Sequence, residues 1–290
     1  MRHIFDTMIQ KYIPLFLFLF LFIPFTAKGG NVVWHERGGV TYTLQDKVSS
    51  VVTKAAKLFE DDMKALTGNR CHTSGQGEVA VYQLDLASNK ELELLETMQV
   101  PLLKFITRTD AFWIGVRNKR VIIVGSNGRG AAYGLLELSR LSGVSPWKWW
   151  GDVTPRKRQR LEIDEQLDKI EAPSVEYRGI NMDNTQWSSA AWDKNYLKEQ
   201  LTDGRLGPAY YHKLFELMLR LRANTICAGG DKKRSDFLDV KGNRELADSF
   251  SIVVSAPYQD NAVTLYEHKK PIRVNLLWAD DGYGYMLARS

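Results

Sequence analysis

The stretch "GPAYYHKLFELMLRLRANTICAGG", residues 207–230, decides the fold. Pro208 sits where the first turn of a helix tolerates a missing N–H. Tyr211, Leu214, Phe215, Met218 and Leu221 follow at three- and four-residue steps and form one apolar stripe, with Lys213, Glu216 and Arg220 off it. At "NTICAGG" (224–230) the helical period stops and a short strand begins. The same unit recurs on both sides. A strand, "VEYRGINMD" (175–183), precedes it; a helix "NRELADSF" (243–250), a strand "SIVVSA" (251–256) and a strand "RVNLLWA" (273–279) follow. Strand, helix, strand, helix, strand, connection, strand argues for a parallel α/β domain starting near Pro173.

Upstream, residues 31–172 read as a separate, small α/β domain. A short strand is expected at Val40 to Leu44. Val48, Val51, Val52, Ala55, Phe59, Met63 and Leu66 then predict a helix that stops at Gly68. "VAVYQL" (79–84) alternates like a strand, and "LELLETM" (92–98) predicts a short helix. "AFWIGVRNKRVIIVGS" (111–126) predicts a hairpin turning at "RNKR". "GSNGRGAAYGLLELSRLSG" (125–143) is a strand–glycine–helix junction. Its G-x-x-G-x-G spacing is neither the dinucleotide fingerprint nor a phosphate loop, so a tight turn that lets the helix pack on the sheet is the expectation. "LEIDEQL" (161–167) reads as a last strand or edge.

Composition restricts the function classes. Hydrophobic residues make up 44% and charged residues 25%, which is ordinary for a globular protein and excludes a disordered chain. The net charge of +5 fits either an acidic substrate or a solvated surface. Arg156 to Arg160 is a basic run after Pro155, read as a solvated connection between domains and not as a nucleic-acid site. Two cysteines, Cys71 and Cys227, and five scattered histidines give no metal-ligand spacing, and no metal or cofactor is expected. The two thiols are either a disulfide or two unpaired residues. Arg2 and Lys11 precede the apolar run Ile13–Phe25, the pattern of a signal peptide over residues 1–28. A secreted or periplasmic protein is therefore expected, with no membrane span after cleavage. The oligomeric state is left open.

Five blocks resemble a known family in sequence and order: "GRGAAYGLLELSRLSGVSPWKWWGDV" (128–153), "YRGI" (177–180), "LGPAYYHKLFELMLRLRANTI" (206–226), "NRELADSFSIVV" (243–254) and "LLWADDGYGYM" (276–286). They are similar to glycoside hydrolase family 115, the xylan α-glucuronidases. The resemblance implies a small α/β domain (31–172) followed by a (β/α)8-type catalytic barrel (173–290), and hydrolysis, with inversion, of α-linked glucuronic acid or 4-O-methylglucuronic acid from xylan. About four strands are legible after residue 173, against eight in a closed barrel, so an incomplete barrel is expected.

In such barrels the chemistry lies just after the strands. Inversion needs a carboxylic acid and a carboxylate about 6.5–9.5 Å apart, with room for water between them. The catalytic candidates are Asp280 and Asp281, with Asp260 a weaker one; Asp183, Asn184, Trp187 and Tyr258 are the substrate-binding candidates. Adjacent strand residues face opposite ways, so Asp280 and Asp281 cannot form the couple within a strand. Several positions depart from the family pattern. Asp183, Asn184 and Thr185 stand where the family has Asn-Asp-Glu, and Cys227 and Ala228 stand where it has Trp-Pro. Ala256 to Asp260 replaces a stretch carrying a histidine. The expectation is a family relative with impaired or absent turnover, a pseudoenzyme; the alternative is a non-catalytic protein binding acidic, xylan-type glycan. Trp147, Trp149, Trp150, Trp187 and Trp192 are either stacking faces for sugar or packing residues.

Overall fold

The computed structural model describes residues 30–182, 197, 206–228, 236–257 and 274–277. The twelve strands of this part fall into three sheets. The first helix, α1 (Ser50–Thr67), carries the predicted stripe inward and ends at Gly68, whose φ of 79° places it in the left-handed region while its N–H bonds the Lys64 carbonyl. Helix α2 (Asn89–Thr97) begins on a reciprocal cap: the Glu91 N–H donates to the Ser88 hydroxyl and the Ser88 N–H to the Glu91 carboxylate. Strands β5 (Phe112–Arg117) and β6 (Arg120–Gly125) form the expected antiparallel hairpin. Asn118 and Lys119 turn it with φ of 52° and 64°, the twist a two-residue hairpin loop requires.

These strands belong to a six-stranded sheet. Its order is β3 (His72–Thr73), β2 (Thr41–Leu44), β4 (Val79–Gln83), β6, β5 and β8 (Asp168–Glu171). The alternation of β6 divides the core between two faces. Val121 and Ile123 lie with α1 and α3 (Gly128–Leu141), whereas Ile122 and Val124 join Leu95, Phe105 and Trp113 on the other face. The junction at 125–143 is a packing device. A Cβ on Gly125 would sit 2.0 Å from the Ala131 nitrogen, and one on Gly130 2.1 Å from the Ala111 oxygen, so α3 lies closer to the sheet than any side chain would permit.

The place of 161–167 differs from the expectation. Strand β7 (Leu161–Asp164) pairs antiparallel with β1 (Asn31–His35) in a sheet of their own, and the edge of the six-stranded sheet is β8. Strand β8, "DKIE", is polar because the edge presents it to solvent, so periodicity does not reveal it. The connection at 152–160, basic run included, has no regular secondary structure and is largely exposed.

The third sheet is the parallel one the opening stretch predicts: β9 (Gly179–Met182), β10 (Thr225–Ala228), β11 (Val253–Pro257) and β12 (Val274–Leu277), side by side in chain order. Between them run α4 (Pro208–Arg220), the short α5 (Asp236–Asp239) and α6 (Asn243–Ser249). Among the described residues this sheet is open, with β9 and β12 at its ends. One face of α3 covers the six-stranded sheet and another meets α4, so Phe215, Met218, Ile226 and Phe250 continue the same core as Phe59 and Ile123. The described residues from Asn31 onward form one compact unit.

Candidate active site

Parallel pairing sets the levels of the third sheet. Ile180, Ile226, Val254 and Val274 stand at one level, and Ile226 and Val254 are buried against the helices. One step on, Asn181, Cys227, Ser255 and Asn275 share a level. The carboxyl ends Met182, Ala228, Pro257 and Leu277 all point the same way. That edge is where a (β/α) frame carries its chemistry.

Every predicted site residue follows closely on it in sequence. Asp183 and Asn184 come directly after β9, Tyr258 and Asp260 after β11, and Asp280 and Asp281 shortly after β12. Asp183, Asn184, Trp187, Tyr258, Asp260, Asp280 and Asp281 themselves lie outside the described residues, as do Trp192 and residues 1–29. A cavity of about 180 Å³ lies elsewhere, around Arg129, Phe237, Arg244 and Ile252 to Val254. Its strand residues, Val253 and Val254, come from the amino-terminal half of β11. Two of the tryptophans pack. Trp150 meets Trp149 and Tyr210 edge-on at 5.2 and 6.1 Å and donates to the Lys213 carbonyl, while Trp147 is 49% exposed. Cys71 is free and buried, and burial pushes its thiol up to about 12.

Sequence reasoning misses what ties the third sheet and its helices to residues 31–172. Three carboxylates from residues 31–172 are almost wholly buried and meet cations from residues 178–222. Asp62 takes Arg220 through both oxygens, at 2.7 and 3.0 Å, and Lys148 at 2.6 Å; Arg220 also reaches Glu216 at 3.0 Å. Glu137 takes Arg140 at 2.7 and 2.8 Å and Arg222 at 2.8 Å. Asp110 takes Arg129 at 2.8 Å and Asn127 at 3.0 Å on one oxygen, and Arg178 at 2.8 Å and Asn224 at 3.1 Å on the other. Burial pushes the Asp110 carboxyl up, but Arg129, Arg178 and Asn127 outweigh it and hold the group below its ordinary value. Glu137 behaves alike, burial opposed and outweighed by Arg140, Arg222 and Lys169. The only sequence signal is weak: charged residues beside apolar stripes, which read equally as a solvated face.

The sequence profile of glycosyl hydrolase family 115 matches residues 170–270. Among solved structures, the chain is similar to BtGH115A, described as a family GH115 4-O-methyl-α-glucuronidase with specificity for decorated arabinogalactans. Identity is 30% and the TM-score 0.70, over 78% of this chain and 29% of that one. Weaker likenesses include an exo-β-N-acetylglucosaminidase from Vibrio harveyi (11% identity, TM-score 0.46, 82% and 36% covered) and a β-N-acetylhexosaminidase from Bacteroides fragilis (12%, 0.44, 83% and 45%). This chain thus spans less than a third of the length of BtGH115A. No curated protein matches the sequence.

Proposed function

Because the chain is a glycoside hydrolase family 115-like protein, we propose that the carboxyl edge of β9 to β12 receives glucuronic acid or 4-O-methylglucuronic acid side chains of a xylan-type glycan. The likeness to BtGH115A at 30% identity carries this reading. That relative's specificity makes decorated arabinogalactan a second substrate to test. The chemistry of the frame is inverting hydrolysis. A carboxylic acid protonates the leaving glycosidic oxygen as the bond from C1 breaks. A carboxylate takes a proton from water, whose oxygen bonds C1 from the opposite face. Asp280 and Asp281 supply candidates for one of these roles and Asp260 for its partner, while Asp183, Asn184, Trp187 and Tyr258 contact the sugar.

In this reading turnover is strongly impaired. The departures at 183–185, 227–228 and 256–260 remove carboxylates, an aromatic wall and an imidazole, and recognition of the acidic glycan outlasts hydrolysis. We read residues 31–172 and 173–290 as an accessory and a catalytic-type domain, and residues 1–28 as an export signal. Sequencing the amino terminus of the protein from the medium or periplasm tests the signal; a retained Met1 counts against it.

The functional test incubates the full chain with glucuronoxylan and with decorated arabinogalactan and measures free uronic acid. The expected release is at least about a hundredfold below that of an active family enzyme, the scale on which a missing general acid or base is felt. Turnover at the active enzyme's rate would overturn the impaired reading.

A further inference from the structure

The Asp110 cluster joins the two sheets, and its geometry suggests more than cohesion. Asp110 is a fixed post. Its φ is 59°, and the next residue, Ala111, is clamped from two sides: its N–H donates to the Ser126 hydroxyl at 3.1 Å and its carbonyl accepts the Ser126 N–H at 2.8 Å. The post meets the third sheet at its amino end. Arg178, the residue before β9, spends all its donors. Its guanidinium bonds Asp110, the carbonyls of Val175, Glu176 and Arg222, and, at 3.4 Å, the Tyr133 hydroxyl. Asn224, the residue before β10, donates to Asp110 and to the Glu176 carbonyl, and its side-chain oxygen accepts the Arg178 N–H at 2.9 Å. The Asn224 and Thr225 N–H groups both return to the Arg178 carbonyl, at 2.8 and 3.1 Å. A Cβ on Gly179 would sit 2.0 Å from the Thr225 oxygen, so the two strands start in close contact.

We propose that Asp110 is a positioning residue: by holding Arg178 and Asn224 together it fixes the relative height of β9 and β10, and so the level at which each strand delivers its carboxyl edge. The rigid span from this base to Met182 is about 13 Å, four residues at about 3.3 Å each. A slip of one residue between the two strands would break the pairing of Thr225 with Gly179 and of Ile226 with Ile180. The amino-terminal α/β part thereby acts as a base plate for the candidate site, whose use in glycan recognition rests on the function proposed above.

Hydrogen exchange on the full chain tests the base plate. Asp110→Asn is compared with Phe59→Leu, a cavity variant in the same core, with urea added so that global stabilities match. The account expects amides of Ile180–Met182 and Ile226–Ala228 to lose protection about tenfold more than those of Val79–Val81 in Asp110→Asn, and evenly in Phe59→Leu. The same pattern in both variants, or no local change in Asp110→Asn, would overturn it. Should Asp110→Asn not fold, Arg178→Lys carries the same comparison, since it keeps the charge and loses the fork. The second readout is titration with an aldouronic xylo-oligosaccharide, where Asp110→Asn is expected to weaken affinity and Phe59→Leu to leave it unchanged. If the unaltered chain binds no acidic glycan, the functional reading fails while the exchange comparison still decides the positioning role.

Discussion

Replacing Arg220 by Met removes the cation that Asp62 depends on, and its cost follows from the structure. The Asp62 side chain is fully buried and that of Arg220 is 3% exposed, so solvent screens neither. The variant deletes two bonds to Asp62, at 2.7 and 3.0 Å, and two to Glu216, at 3.2 and 3.0 Å. Lys148 remains against Asp62 at 2.6 Å, but among the described residues Glu216 keeps only Lys213, at 3.4 Å. Removing one member of a buried ion pair typically costs about 3–5 kcal/mol, mostly because the other is left charged and dry. In a unit of this size each kcal/mol lowers Tm by about 2–4 °C, giving a fall of about 6–20 °C. Urea unfolding followed by circular dichroism reads it directly. The triple variant Arg220→Met, Asp62→Leu, Glu216→Leu should recover most of the loss, since no buried carboxylate is then stranded and the Lys148 side chain, 21% exposed, can turn to water. A single-variant cost below about 1 kcal/mol, the range of an exposed pair, would refute the reasoning.

Other predictions concern separate parts of the molecule. Asp110 and Glu137 have depressed folded-state values, so the stability they supply is present above their unfolded values near pH 4 and lost as pH falls through the lower folded ones. Acid unfolding followed by fluorescence should therefore lie below pH 4, and Asp110→Asn should flatten its slope. Cys71, with its thiol near 12, should resist iodoacetamide at pH 8 in the folded protein and react once urea unfolds it. Ser88→Ala removes one half of the α2 cap and should cost about 1 kcal/mol in urea titrations. Gly125→Ala should destabilise strongly or prevent folding, as its Cβ meets backbone and not a yielding side chain.

What the sequence discloses follows from the range of the interaction involved. The hairpin at 112–125 and the helices at 50–67 and 208–220 are legible because period, turn residues and caps lie within a few residues of one another. Strands β1 and β7 complete each other across more than a hundred residues, so β1 carries no local mark and the placement of β7 as a sheet edge misses its partner. The parallel order β9 to β11 is legible because helices separate these strands and leave few topologies. The carboxyl edge is legible too, since strand ends can be counted. The buried charge clusters at Asp62, Asp110 and Glu137 are not: a carboxylate beside an apolar stripe reads as solvated until a second segment, here around residues 178–222, is seen to cover it.

The central claim is that this family-115-like frame recognises a uronic acid. Calorimetric titration of the full chain with an aldouronic xylo-oligosaccharide and with its neutral counterpart tests this most directly. The account predicts binding of the acidic ligand at least about tenfold tighter, the worth of one charge-assisted contact to its carboxylate. Equal affinity for the two, or none for either, would contradict it.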